Sequence, residues 1–143
     1  MDGPVIELGP GAENNGLALM LSELLRQNLQ DNPHKRRDFD RLAGRVAIVV
    51  EDAEVSVTLV FRAGTLTVHD GIYGIPDLTI RAGMDDVTNM SLVELIPRVG
   101  LPDPRGEVAR KVMRASREGR IRMYGLLANI PLVVRLTRVM SVS

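Results

Sequence analysis

The residues that carry reactive chemistry are few, and their spacing does not assemble a catalytic or metal centre. His34 and His69 are the only histidines, and neither falls in an HExxH, an HxH or another ligand spacing. The chain has no cysteine, which removes a thiolate nucleophile, a disulfide framework and a sulfur-based zinc site. Glu51 with Asp52 and Asp85 with Asp86 have the composition of carboxylate pairs. Their positions read better as a hairpin turn and a helix N-terminus, where local hydrogen bonding and the macrodipole favour acids. There is no GxSxG and no P-loop lysine pattern, and Gly3, Gly9, Gly11 and Gly16 are spaced too loosely for a phosphate cradle. No serine has a base beside it in sequence, as an activated nucleophile requires. The expectation is a protein that is not an enzyme and holds no metal.

Charge gives a second lead. From Arg105 onward nine Lys or Arg face only Glu107 and Glu118, while the preceding residues carry nine basic against sixteen acidic groups, so a formally neutral chain is strongly lopsided. The cluster Arg105, Arg110, Lys111, Arg114, Arg117, Arg120 and Arg122 has only Tyr124 as a nearby aromatic, which argues against nucleic acid. A solvated face, or attraction to an anionic membrane surface at roughly 1 kcal/mol per basic group, remains.

The elements that would position these groups follow from period and punctuation. The length suits one domain, with residues 1–14, rich in Gly and Pro, as a flexible tail and 15–143 as the folded unit. Leu17, Met20, Leu21, Leu24 and Leu25 recur at helical spacing and predict a helix over 16–31; Asn32 then Pro33 starts a shorter one ending at Gly44. Alternation then sets in at Val46, Ile48 and Val50, at Val55, Val57, Leu59 and Phe61, at Leu66 and Val68, and at Leu78 and Ile80. The turns at 51–54 and 63–64 are short enough for antiparallel hairpins. Each strand has one apolar face, so helices should cover one side and water the other. Ser91 with Glu94 has the form of a capping box and predicts a helix through Leu92, Leu95 and Ile96. An amphipathic helix over 107–118 and a fifth strand over 120–124 follow. Neither a signal-like start nor a run of about 18 apolar residues is present, so a cytoplasmic location is expected.

The last predicted helix, 130–140, is the most informative. Asn129 suits its N-cap and Pro131 its first turn. At ~100° per residue, Val139, Leu132, Leu136, Met140, Val133, Ile130 and Val134 sweep roughly 220°, broken by Thr137, which leaves a narrow face for Arg135 and Arg138, expected to meet solvent or a lipid surface. That exceeds the stripe a core requires, so either the helix is sunk deep into its own fold or it has a further cover: an apolar ligand, a partner subunit such as the second copy of a homodimer, or a membrane surface. Seven Met among aliphatics, with no Trp and two Phe, suit an adaptable apolar cavity.

The run GRVAIVVEDAEVSVTLVFRAGTLTVHDG, the following PDLTI and the terminal GRIRMYGLLANIPLVVRLTRVM together resemble the sterol carrier protein 2 (SCP-2) like domain. The likeness spans about 39–140, through Gly64 to Val68, Pro76 with Asp77, and Gly119 to Gly125. It implies an α+β fold, a five-stranded, largely antiparallel sheet covered on one face by helices, with an apolar tunnel for fatty acids, fatty acyl derivatives, sterols or isoprenoid-like lipids, and no cofactor. It implies binding and transfer of a lipid; the alternative is a structural, dimerising or accessory module for a lipid- or quinone-metabolising enzyme. On that fold the lining is expected to be Leu59, Phe61, Leu66, Val68, Ile80, Met84, Ile96, Met113, Ile121, Met123, Ile130, Val133 and Leu136, with Arg98 or Arg122 meeting a head group. The segment 97–117 is longer than the common core, and the last residues lack the small, basic, leucine ending of a peroxisomal address.

Overall fold

The computed structural model describes residues 4–142. Its elements in chain order are β1 (Val5–Leu8), α1 (Gly16–Asp31), α2 (Arg36–Arg41), β2 (Ala43–Val50), β3 (Val55–Arg62), β4 (Thr65–Asp70), β5 (Leu78–Ala82), α3 (Met84–Ser91), α4 (Glu107–Arg117), β6 (Arg122–Tyr124) and α5 (Ile130–Met140). Short 3-10 turns precede α1, α2 and α5. No helix among the described residues is long and apolar enough to cross a membrane.

The sheet has six strands in the order β1-β4-β3-β2-β5-β6 and is mixed, which corrects the expected five-stranded, largely antiparallel arrangement. The hairpins β2–β3 and β3–β4 are antiparallel as their short turns require. β5 instead runs parallel to β2, with Val46 beside Leu78 and Ile48 beside Ile80. The sixth strand, β1, comes from the segment expected to be a tail: Val5–Leu8 lies parallel to β4, and Gly9 N–H continues the ladder to Val68 O at 2.8 Å. Asn15 then caps α1 by accepting from Ala18 N–H, and its amide donates to Asp70 and to Ser56 O. The part of the expected tail at 1–3 lies outside the described residues.

The helix-facing side of the sheet carries the core, where Val46, Leu59, Leu66 and Val68 are fully buried and Phe39 meets Phe61 edge to face at 6.3 Å. The opposite side is only partly given to water. Thr58 donates to Gly71 O and accepts from Tyr73 N–H, folding the 71–77 loop across this face, where Tyr73 stacks on His69 at 3.8 Å.

Two helical expectations change. The second helix ends at Arg41, and Gly44 belongs to β2. Ser91 closes α3 instead of opening a helix: α3 begins at Met84 with Asp85 and Asp86 in its first turn, and Ser91 Oγ donates back to Thr88 O. Glu94 reaches forward instead, accepting from Val108 and Ala109 N–H at the start of α4. A Cβ at Gly106 would displace that carboxylate. The Glu94 carboxyl is held below the usual range by its own backbone N–H and by those of Ala109, Val108 and Glu107.

Candidate functional site

α1 and α5 pack together on one side of the helical layer, and α5 also packs on α2; α3 packs on α4. Between the two groups, over β2, β5 and β6, lies a partly open cleft of about 200 Å³. Its floor is Ile48, Leu78, Ile80 and Met123, which the parallel β2–β5 pairing and the Ile80–Met123 register bring side by side. One wall is Met20, Leu21 and Leu24 from α1 with Val133, Leu136, Thr137 and Met140 from α5. The other is Val87, Thr88, Met90 and Ser91 from α3.

Four of these side chains are methionines, whose flexible thioethers repack around irregular apolar shapes. No charged side chain is in the lining. Two of its three hydroxyls are committed to backbone carbonyls, Ser91 to Thr88 O and Thr137 to Val133 O, both within their own helix. The surface therefore presents hydrocarbon and sulfur, with little to orient a polar guest. Among the described residues no group of three or more His, Asp or Glu could hold a metal ion.

The α5 wall is held at its C-terminal end. Asn28, buried on α1, donates to Val139 O and Met140 O at 3.0 Å each, and the Lys35 ammonium donates to Ser141 O. These donors meet the orphan carbonyls of the last turn, where a cation is also favoured by the macrodipole. Lys35 is 3% exposed, and its burial pushes the ammonium below its ordinary pKa. Val142 N–H and Ser141 Oγ join Ser91 O and Val93 O, tying the residues after α5 to the end of α3. At the other end Asn129 does not cap the helix with its side chain; its amide donates to Asp77 O and Gly125 O.

Of the residues expected to line a lipid cavity, Ile80, Met123, Val133 and Leu136 come together in this cleft. Leu59, Phe61, Leu66, Val68 and Ile121 are core residues outside its lining. Met84 packs on the edge of the core, Ile96 is half-buried in the 92–106 loop, and Met113 on α4 and Ile130 on α5 are exposed. The cleft also holds Met20, Leu21, Leu24, Ile48, Leu78, Thr137, Met140 and the α3 wall, which were not among the expected lining residues. Met20 and Leu24 were visible as one helical stripe, but only the strand order shows that the floor lies under β2, β5 and β6.

The arginines also fall differently from expectation. Arg122 forms two 2.7 Å bonds to Glu51, and Arg98 is exposed in a left-handed backbone conformation. Arg138 does not face solvent freely: it is half-buried and joins Gly100 O and Val99 O to Asp38. In the basic region Arg105 pairs with Asp103, Arg120 with Asp86 and Glu118, and Lys111 lies 3.9 Å from Glu107. Arg110, Arg114 and Arg117 have no ion pair among the described residues, so the net positive face is carried by α4.

A family model described as the SCP-2 sterol transfer family matches residues 21–98. Among solved structures, the chain is similar to a protein titled UbiJ-SCP2 ubiquinone synthesis protein, at 19% identity and a TM-score of 0.59, covering 86% of this chain and 90% of that one. It is similar to the sterol carrier protein domain 2 of Helicoverpa armigera at 18% identity and TM-score 0.56, covering 92% and 90%. It is also similar to part of the stereoselective inverting sec-alkylsulfatase Pisa1 from a Pseudomonas species, at 14% identity and TM-score 0.53, covering 87% of this chain but 16% of that one. No curated protein matches the sequence. At these identities the structural likenesses speak for the fold.

Proposed function

The chain belongs to the SCP-2 sterol transfer family, and from that premise we propose that it binds a hydrophobic lipid without catalysis, in the cleft between α1, α5 and α3, and transfers it. The observation that carries the reading is the lining itself: Met20, Met90, Met123 and Met140 among aliphatics, with no charged group. A fatty acid, a fatty acyl derivative, a sterol or an isoprenoid-like chain would bind through its hydrocarbon, each methylene contributing about 0.8 kcal/mol on burial. The cleft is below the roughly 300–1,000 Å³ of drug-sized sites, so a long chain or a sterol ring system requires α5 or α3 to move outward into the tunnel that the family resemblance implies. The wide apolar arc of α5 is then divided between the core at Leu132 and Val139 and the cleft at Val133 and Met140, with Leu136 serving both.

A second reading, an accessory module beside a lipid- or quinone-metabolising enzyme, is favoured by likeness to a protein titled as acting in ubiquinone synthesis and to one portion of a larger alkylsulfatase. Native mass spectrometry separates the two. The carrier reading expects a co-purified apolar mass that is lost in organic solvent. A chain that stays empty, binds no fluorescent fatty acid and assembles with itself or an enzyme supports the accessory reading and overturns the carrier.

A further inference from the structure

The two most exposed large apolar side chains among the described residues are Leu127, at 87%, and Ile75, at 85%. A lone exposed leucine needs no explanation, but these two stand on adjoining loops at one end of the sheet. The loops are joined: Asn129 donates to both Asp77 O and Gly125 O, and Gly125 has a φ of +89° where a Cβ would strike the Asp77 carbonyl. Ile130 and Tyr124, also exposed, flank Leu127 in sequence.

Two guanidiniums without ion pairs among the described residues accompany this apolar end. They belong to Arg45 and Arg62, which share a surface hollow of about 370 Å³ with Ile75 and Asp77. Arg45 lies 5.6 Å from the Tyr73 ring, while the Asp77 carboxylate accepts from Arg45 N–H at 2.9 Å. The positive field reaches His69, whose imidazole is pushed below its ordinary pKa by burial, then by Arg62 and Arg45.

The same end connects to the cleft. At helical spacing Ile130, Val133 and Thr137 share one side of α5, and the last two line the cleft. We propose that this end of the sheet docks on an anionic lipid bilayer, with Ile75, Leu127 and Ile130 entering the acyl boundary and Arg45 and Arg62 meeting lipid phosphates. The α5 side from Ile130 to Thr137 is then the route between bilayer and cleft, a step that rests on the lipid-carrier reading. Apolar tips bordered by guanidiniums and tyrosines have the composition of an interfacial anchor. The α4 face has arginines without ion pairs among the described residues but only Met113 as a large exposed apolar residue, so it offers attraction without insertion.

Sedimentation with vesicles tests the docking, using the full chain with phosphatidylcholine alone or mixed in equal parts with phosphatidylglycerol. The wild type should bind the mixed vesicles and release with salt. Ile75→Ser with Leu127→Ser should lower partitioning about tenfold or more, and Arg45→Gln with Arg62→Gln should abolish the preference for phosphatidylglycerol. Arg110→Gln with Arg114→Gln should still bind. Fluorescent fatty acid added from water should bind the Ile75→Ser, Leu127→Ser variant as it binds wild type, so loss of docking is distinguished from failure of the carrier reading. Wild-type partitioning by the edge variants, no wild-type binding to mixed vesicles, or loss confined to the α4 variant would overturn the proposal. So would light scattering showing a dimer that the edge variant dissolves.

Discussion

Val133→Asp is the sharpest probe of the cleft. At ~24 cal/mol per Å³ of cavity, filling the cleft of about 200 Å³ with hydrocarbon gains roughly 5 kcal/mol, the equivalent of about six methylenes. The substitution replaces the two methyl groups of a wall residue with a carboxylate of similar size. In the free protein Val133 is half-buried, so the new charge reaches water and the fold should melt close to wild type. A bound chain would strip that water, and no cation in the lining compensates. Losing about 1.5 kcal/mol of Val burial and desolvating an unpaired polar group at about 1–3 kcal/mol weakens binding by roughly 3 kcal/mol, on the order of a hundredfold in Kd. Displacement of a fluorescent fatty acid measures this, with Val134→Asp as control, since Val134 is half-buried on the same helix but outside the lining. A Val133→Asp protein that melts normally and binds like wild type, or a Val134→Asp protein equally impaired, would refute the placement of the ligand.

The remaining predictions concern ligand length and the supports of the cleft. In isothermal titration of saturated fatty acids, affinity should rise about fourfold per methylene until about six are seated and then flatten unless the helices part; equal affinity at all lengths contradicts apolar burial. Because burial lowers the Lys35 pKa, the unfolded chain binds more protons than the folded one between the folded value and the ordinary 10.5, and stability rises with pH through that window. Urea unfolding of wild type against Lys35→Met should show the wild type gaining as pH climbs toward 10.5, and a pH-independent difference refutes it. Glu94 has the opposite sense of use: its lowered pKa contributes stability above the ordinary 4.5 that is lost as pH falls through the folded value. Glu94→Gln should lower the neutral-pH melting temperature and flatten its fall in acid, and an unchanged acid profile would sink that role.

Legibility tracked how local each signal is. The bounds of α1 at Gly16 and Asp31 and of α5 at Ile130 and Met140 were readable because caps, prolines and apolar period all act within a turn. β1 was not, because four residues between Gly and Pro become a strand only by lying parallel to β4. The parallel β2–β5 pairing is equally nonlocal, and it moved the floor of the cleft from β3 and β4 to Ile48, Leu78, Ile80 and Met123. Ser91 and Glu94 had the right types and spacing for a capping box, yet tertiary packing gave Glu94 to the start of another helix. Arg138 read as a solvent residue by angle alone, whereas the 97–101 loop closes over it.

The central claim, that an apolar lipid sits in this cleft, is tested most directly by photolabelling. A fatty acid carrying a diazirine on its chain, bound to the full chain and irradiated, should mark peptides containing Met20 to Leu24, Met90, Met123 and Val133 to Met140, and excess unlabelled fatty acid should suppress the marks. Labelling spread over the surface, or concentrated on α4 with these peptides unmarked, would contradict it.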